Sequence, residues 1–146
     1  MTDLEKAKML LADGGHGDCV LCRGDTVHAS KAKGISPMID FISAGFDLRD
    51  FSAADKIVGK AAGLLFVHAG VKTVYAKILS RSAQIIFKNY GIDYTFGTLA
   101  DFIKNRAGDG LCIMEQAVAD VNEPSKAFII LKNTLDSLRK KVTDQR

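Results

Sequence analysis

"SAADKIVGKAAGLLFVHAGVKTVYAKILS", residues 52–80, sets two different patterns side by side with no linker between them. Its first part, 52–70, has Ser52 or Asp55 as a start signal, Gly70 as a stop, and side chains that are apolar nearly all round from Ala61 to Val67. That pattern predicts a helix inside the protein, with a sheet on one side and other helices on the other. The second part, "VKTVYAKIL", is rich in β-branched and aromatic residues and predicts a buried strand. Downstream, "SRSAQIIFKNYG" reads as a capped helix closed by Gly91, and "IDYTFGTL" as another strand. Strand-helix-strand units place their strands parallel, so the stretch points to an α/β fold.

Working outward, Thr2 with Glu5 three residues later forms a capping-box signature for a first helix, which ends at "DGGHG". "CVLCRGDTVHAS" predicts a hairpin turning at Arg23-Gly24-Asp25, and "SPMIDFISAG" a short helix capped by Ser36 with Pro37 at its first position. After "DFIKNRAGDG", one helix begins at Cys112, and a last one runs from about Pro124 to about Lys141. The resulting order, α, β, β, α, α, β, α, β, α, α, predicts a mixed sheet sandwiched by helices in a single domain over 1–146.

Composition bounds the function. A chain of 146 residues with 47% hydrophobic and 25% charged residues has the makeup of one globular domain. The longest apolar run, "AAGLLFVHAGV", is too short for a membrane span, and the start has no signal-peptide centre, so a cytoplasmic location is expected. A net charge of +3, dispersed along the chain, argues against a nucleic-acid partner. Three cysteines, an odd number, speak for reduced thiols.

The motifs narrow the choice further. "VGKAAG" fails as a phosphate loop, which needs glycine where Ala54 stands and Ser or Thr where Ala61 stands. Gly59 and Gly63 then read as close-approach positions on a helix face, with Lys56 and Lys60 available to an anion. "CVLC" has the spacing of a metal knuckle but no second pair, and on a strand Cys19 and Cys22 point to opposite faces. The three histidines show no ligand spacing and read as structural or solvent-facing.

Cys112 differs because Gly108 and Gly110 precede it and a helix follows. A helix start offers free N–H groups that favour a thiolate. Glu115 is placed to accept a proton or to cap that helix, while Asn105 and Arg106 offer an amide and a fixed cation to an anionic ligand.

"ADKIVGKAAGLLFVHAGVKTVYAKILS", "YGI" and "IKNRAGDGLCIMEQAV" together resemble the prokaryotic family catalogued as domain of unknown function 1893, over about residues 17–132. That family typically reads N-R-x-G-x-G-x-C-P-M-E, and here Ile113 replaces the proline. The resemblance implies a cytidine-deaminase-like fold, a three-layer α/β/α sandwich. Zinc deaminases carry H-x-E or C-x-E at one helix start and P-C-x-x-C at the next. This chain offers Asp55, Ser80 and Ser82 at about those places, so neither zinc nor another cofactor is expected.

Three expectations follow. The first is a zinc-free domain that binds a small anionic, nucleotide-like molecule between the Asp55 helix start and the Cys112 loop. The second is an enzyme with Cys112 as nucleophile and Glu115 or Asp55 moving the proton. The third is an interaction or homo-oligomerising module using Phe128, Ile129, Leu131, Leu135 and Leu138 of the last helix.

Overall fold

The computed structural model describes residues 1–105, 107–108 and 110–144. In chain order its elements are α1 (Asp3–Asp13), β1 (Cys19–Arg23), β2 (Thr26–Ser30), α2 (Ser36–Ser43), β3 (Ser52–Val58), α3 (Lys60–Ala69), β4 (Thr73–Ser80), α4 (Arg81–Tyr90), β5 (Asp93–Ala100), α5 (Ile113–Ala117) and α6 (Pro124–Asp144).

The predicted helix over 52–70 is two elements: Ser52–Val58 is a strand, and the helix starts only at Lys60. Asp55 therefore stands on a strand and not at a helix start. Ser52, Ala53, Ala54 and Asp55 are all buried, because β3 lies mid-sheet between β1 and β4. A strand covered on both faces shows no polar-apolar alternation, and small residues such as Ala53 and Ala54 mimic helix formers in sequence.

The sheet has the order β2-β1-β3-β4-β5. β1 pairs antiparallel with β2 and β3, whereas β3, β4 and β5 run parallel. One face is covered by α1, whose Ala7 and Leu11 pack on Val20, Cys22 and Ala54. The main core lies on the other face, where Leu21, Ala53, Val74 and Ala76 of the sheet meet Met38, Leu64, Leu65, Phe87 and Leu131 of the helices. Full burial of a side chain such as Phe66, Leu64 or Phe87 contributes about 1.5–3 kcal/mol. The three-layer α/β/α sandwich with a mixed sheet is thus the architecture that the resemblance implied.

Local signals do as expected at most element ends. Thr2 and Glu5 form the capping box, Gly70 and Gly91 close α3 and α4 in left-handed geometry, and the hairpin turns through Gly24 and Asp25. Ser36 sits inside α2, whose N-cap is Ile35, with Pro37 in the first turn. The apolar stripe of α6 faces inward: Leu131 and Leu135 are buried and Phe128 and Leu138 pack on the core, leaving Ile129 exposed. The stripe proposed for a partner protein is therefore mostly spent on the fold. No helix among the described residues is long and apolar enough to cross a membrane.

Candidate functional site

Beyond the carboxyl end of β3 lies a cavity of about 630 Å³. Open α/β sheets bind ligands outside the carboxyl ends of their parallel strands, because the following helices leave a crevice there. β1 runs antiparallel to β3, so its first residue, Cys19, pairs with Asp55 and both line the cavity. Ile35 and Pro37 come from the start of α2, Ala61 and Ala62 from the first turn of α3, and Leu135 from α6. Arg139 of α6 donates to both carboxyl oxygens of Asp40 on α2 at 3.0 and 3.1 Å, tying two walls together at the surface.

Asp55 is buried, at 6% exposure. Burial pushes its pKa up to about 8, with the Asp18 charge adding and the N–H groups of Lys56 and Ile57 opposing. Near pH 7 it is mostly protonated, and a protonated carboxyl offers one donor beside one acceptor. Burial likewise holds the Cys19 thiol well above its usual range, reinforced by Asp55 and Asp18.

The mouth is charged. Asp18 lies between two ammonium groups, Lys33 and Lys56, each 3.0 Å from one of its oxygens, and these lower its pKa. Lys104 adds a third exposed cation to the lining. Walls of Ile35, Pro37, Ala61, Ala62, Ile103 and Leu135 thus run from a buried carboxyl to a lysine-rich opening.

The start of α3 is closed by a long-range contact. The Glu115 carboxylate accepts from Lys60 N–H at 2.8 Å through Oε1 and from Ala61 N–H at 2.7 Å through Oε2. Glu115 therefore caps a helix 55 residues away in sequence and not the one it stands on. Its oxygens fill the space where a Gly59 side chain would begin; a Cβ there would collide with them and lie 2.9 Å from Ile103 Cγ1. Gly63, by contrast, has ordinary room, with Ala83 Cβ and Phe87 Cε1 both 3.6 Å from a built Cβ. Close approach thus belongs to Gly59, at the N-cap of α3, and not to a shared helix face.

The other expected site residues divide. Cys112 is half-buried, lines the cavity, and is the N-cap of the five-residue α5 without a side-chain cap bond. Lys60 turns away, its ammonium donating to Ala119 O at 3.0 Å, and it is not among the lining residues. Asn105, Gly108 and Gly110 shape a loop closed by the Lys104–Leu111 bridge; Asn105 Oδ1 accepts from Gly108 N–H at 2.8 Å, and Asn105 N–H donates to Gly110 O at 2.8 Å. None of those three lines the cavity, though the loop's ends, Ile103, Lys104 and Cys112, do. Arg106 lies outside the described residues.

At the start of α4, Ser80 Oγ accepts from Ala83 N–H at 3.1 Å and stands 3.0 Å from Ser82 Oγ. The Ser80 hydroxyl serves as the cap of α4, with the Ser82 hydroxyl bonded to it. Among the described residues no three His, Cys, Asp or Glu side chains gather where a metal would need them. Lys33, Asp18 and Ile35 are cavity residues that sequence reading missed, since nothing local marks a loop lysine as facing β3.

A solved structure shares this fold. A solved DUF1893 family protein from Thermotoga maritima superposes with a TM-score of 0.82 at 21% identity, over 92% of this chain and 91% of that one. A diaminohydroxyphosphoribosylaminopyrimidine deaminase/5-amino-6-(5-phosphoribosylamino)uracil reductase from the same organism shares 17% identity at a TM-score of 0.44, over 65% of this chain and 36% of that one. No curated protein matches the sequence. The family model described as "Domain of unknown function (DUF1893)" matches residues 6–135, nearly the whole chain, and the protein belongs to that family.

Proposed function

We propose that the protein is a zinc-free domain that binds a small anionic, nucleotide-like molecule in the cavity at the carboxyl end of β3. The observation that carries this reading is the cavity itself: about 630 Å³, apolar in its walls, with Lys33, Lys56 and Lys104 at its opening. That volume falls within the range of small-molecule sites, where apolar walls bury the ligand and a few polar groups orient it. The lysines outnumber Asp18 at the mouth and favour phosphate or carboxylate there. Zinc is left out because two serine hydroxyls and a carboxylate are a poor donor set for it.

The test is a thermal-shift series with nucleotides and phosphorylated metabolites on the purified protein. A ligand present at a hundred times its Kd stabilises the folded state by about 2.7 kcal/mol. A variant with Lys33, Lys56 and Lys104 all changed to Ala should lose the shift while keeping the unliganded Tm, because exposed ion pairs contribute little. If no compound raises Tm, or if the triple variant responds like wild type, the reading fails. Elemental analysis finding about one zinc per chain would overturn its zinc-free part.

A second reading has one observation behind it: Cys112 and Asp55 line the same cavity. As a nucleophile Cys112 would need the ionised form of Asp55 as its proton acceptor, since Glu115 is already engaged by Lys60 and Ala61, so this reading requires activity that rises with pH toward 8. Under that reading Cys112→Ser abolishes turnover of a bound compound without reducing its thermal shift; retained turnover excludes it.

A further inference from the structure

We infer that Asp55 is the specificity-determining residue of the cavity, its carboxyl reading a heterocycle edge that presents one hydrogen-bond donor beside one acceptor. The inference rests on the reading of the cavity as a binding site and names the chemistry of the ligand's buried end. Among the described residues, Asp55 and Glu115 are the buried carboxyl groups that line the cavity, and Glu115 is held by the N–H groups of Lys60 and Ala61; buried Cys19 is paired opposite Asp55 on one side and uncharged Ala76 on the other. The cations are exposed instead, the Lys33 side chain being 74% and the Lys56 side chain 47% accessible. A ligand lying along the cavity therefore has its anion outward and a polar edge inward.

The inward edge meets a group that gives and accepts at once. Lactam, imide and amidine edges, the edges of nucleobases, satisfy both halves of a neutral carboxyl together, whereas an edge that matches only one half binds more weakly. A bare sugar phosphate meets the lysines equally well but brings no such edge to Asp55, whose oxygens then keep only the N–H groups of Lys56 and Ile57.

The pH dependence has a definite sign. The carboxyl is neutral below its raised pKa of about 8 and charged above it, so edge recognition is present near pH 7 and fades as pH rises through 8. The charged and titratable groups around it are Asp18 and Cys19 at the start of β1, Lys33 of the loop before α2, Lys56 of β3 itself, Lys104 and Cys112 of the 103–112 loop, and Glu115 of α5. Burial leads the shift, the Asp18 charge adds to it, and the N–H groups of Lys56 and Ile57 oppose it.

The experiment is titration calorimetry with cytidine, uridine, adenosine and guanosine 5′-monophosphates and with ribose 5-phosphate, at pH 7 and pH 9. In wild type at pH 7 at least one nucleotide should bind tenfold or more tighter than ribose 5-phosphate. Between pH 7 and pH 9 that nucleotide should weaken by about tenfold, the fraction by which a group of pKa 8 loses its neutral form. Asp55→Asn keeps a donor and an acceptor in nearly the same shape, so it should retain the pH 7 preference and escape the fall. Ionisation of the nucleotide or of the lysines would move both proteins alike and cancels in the comparison. Ribose 5-phosphate binding as tightly as every nucleotide overturns the inference on wild type alone, whatever the variant does. Parallel pH profiles in wild type and Asp55→Asn overturn it as well. If no compound in the panel binds, the cavity reading falls and this inference with it, whereas loss of the base preference alone leaves the cavity reading standing.

Discussion

The starts of α3 and α4 solve one problem in opposite ways. Both helices follow parallel strands and begin with N–H groups that have no partner inside the helix. α4 is closed from within, by Ser80 reaching three residues ahead to Ala83. α3 begins at a glycine and borrows its cap from Glu115, across 55 residues and a different element. A local cap stabilises one helix, whereas a borrowed cap also fixes where α5 and the loop before it sit against the cavity.

If that contrast is right, removing the borrowed cap is the costlier change. Glu115→Ala should destabilise by about 2–3 kcal/mol, because it strips two charge-assisted hydrogen bonds and leaves the buried Ala61 N–H unmatched. Urea unfolding followed by circular dichroism checks it, and a loss under about 1 kcal/mol would mean that water replaces the carboxylate at no penalty.

Gly59→Ala should come next, at about 2 kcal/mol, since a methyl there displaces the same carboxylate. In the Glu115→Ala background the glycine change should cost under about 1 kcal/mol, the non-additivity expected of groups in contact. Additive losses would show that Ile103, and not Glu115, sets the demand for glycine. Ser80→Ala should be the smallest of the three stability changes, about 1 kcal/mol, as ordinary N-caps are.

The contrast also explains what the sequence made legible. Thr2, Pro37, Ser80, Gly70, Gly91 and the Gly24 turn act on neighbours within a few residues, so their roles follow from local spacing. β3 escaped because its character comes from burial between β1 and β4, a tertiary fact that overrides the helical look of "SAADKIV". The cavity was legible in part. Lys56, Cys112 and Glu115 were singled out from the residues and Asp55 through the family resemblance, and all four line it. Lys60 was singled out too, but the turn of α3 that exposes Ala61 and Ala62 to the cavity carries its ammonium to Ala119. Asp18 and Lys33 carried no signal because strand pairing and a loop, not spacing, bring them to β3.

A borrowed cap that holds α5 in place should also limit access to the thiol beside it. Cys112 opens α5, and Glu115 is the residue of α5 that grips α3, so the thiol's access reports on the grip. Cys19 and Cys22 are poor competitors for a label: both are buried, and burial raises both thiols above their usual range. Iodoacetamide at neutral pH should therefore modify half-buried Cys112 first in the native protein. Labelling at Cys112 no faster than at Cys19 or Cys22 would return it to the core. With that baseline, Glu115→Ala should speed Cys112 labelling severalfold by freeing α5, while Ser80→Ala should leave the rate unchanged because α4 does not hold that segment. Mass-spectrometric mapping after brief exposure reads both. Equal acceleration in the two variants would trace the effect to lowered global stability, and the cap from Glu115 would then be no more than a cap.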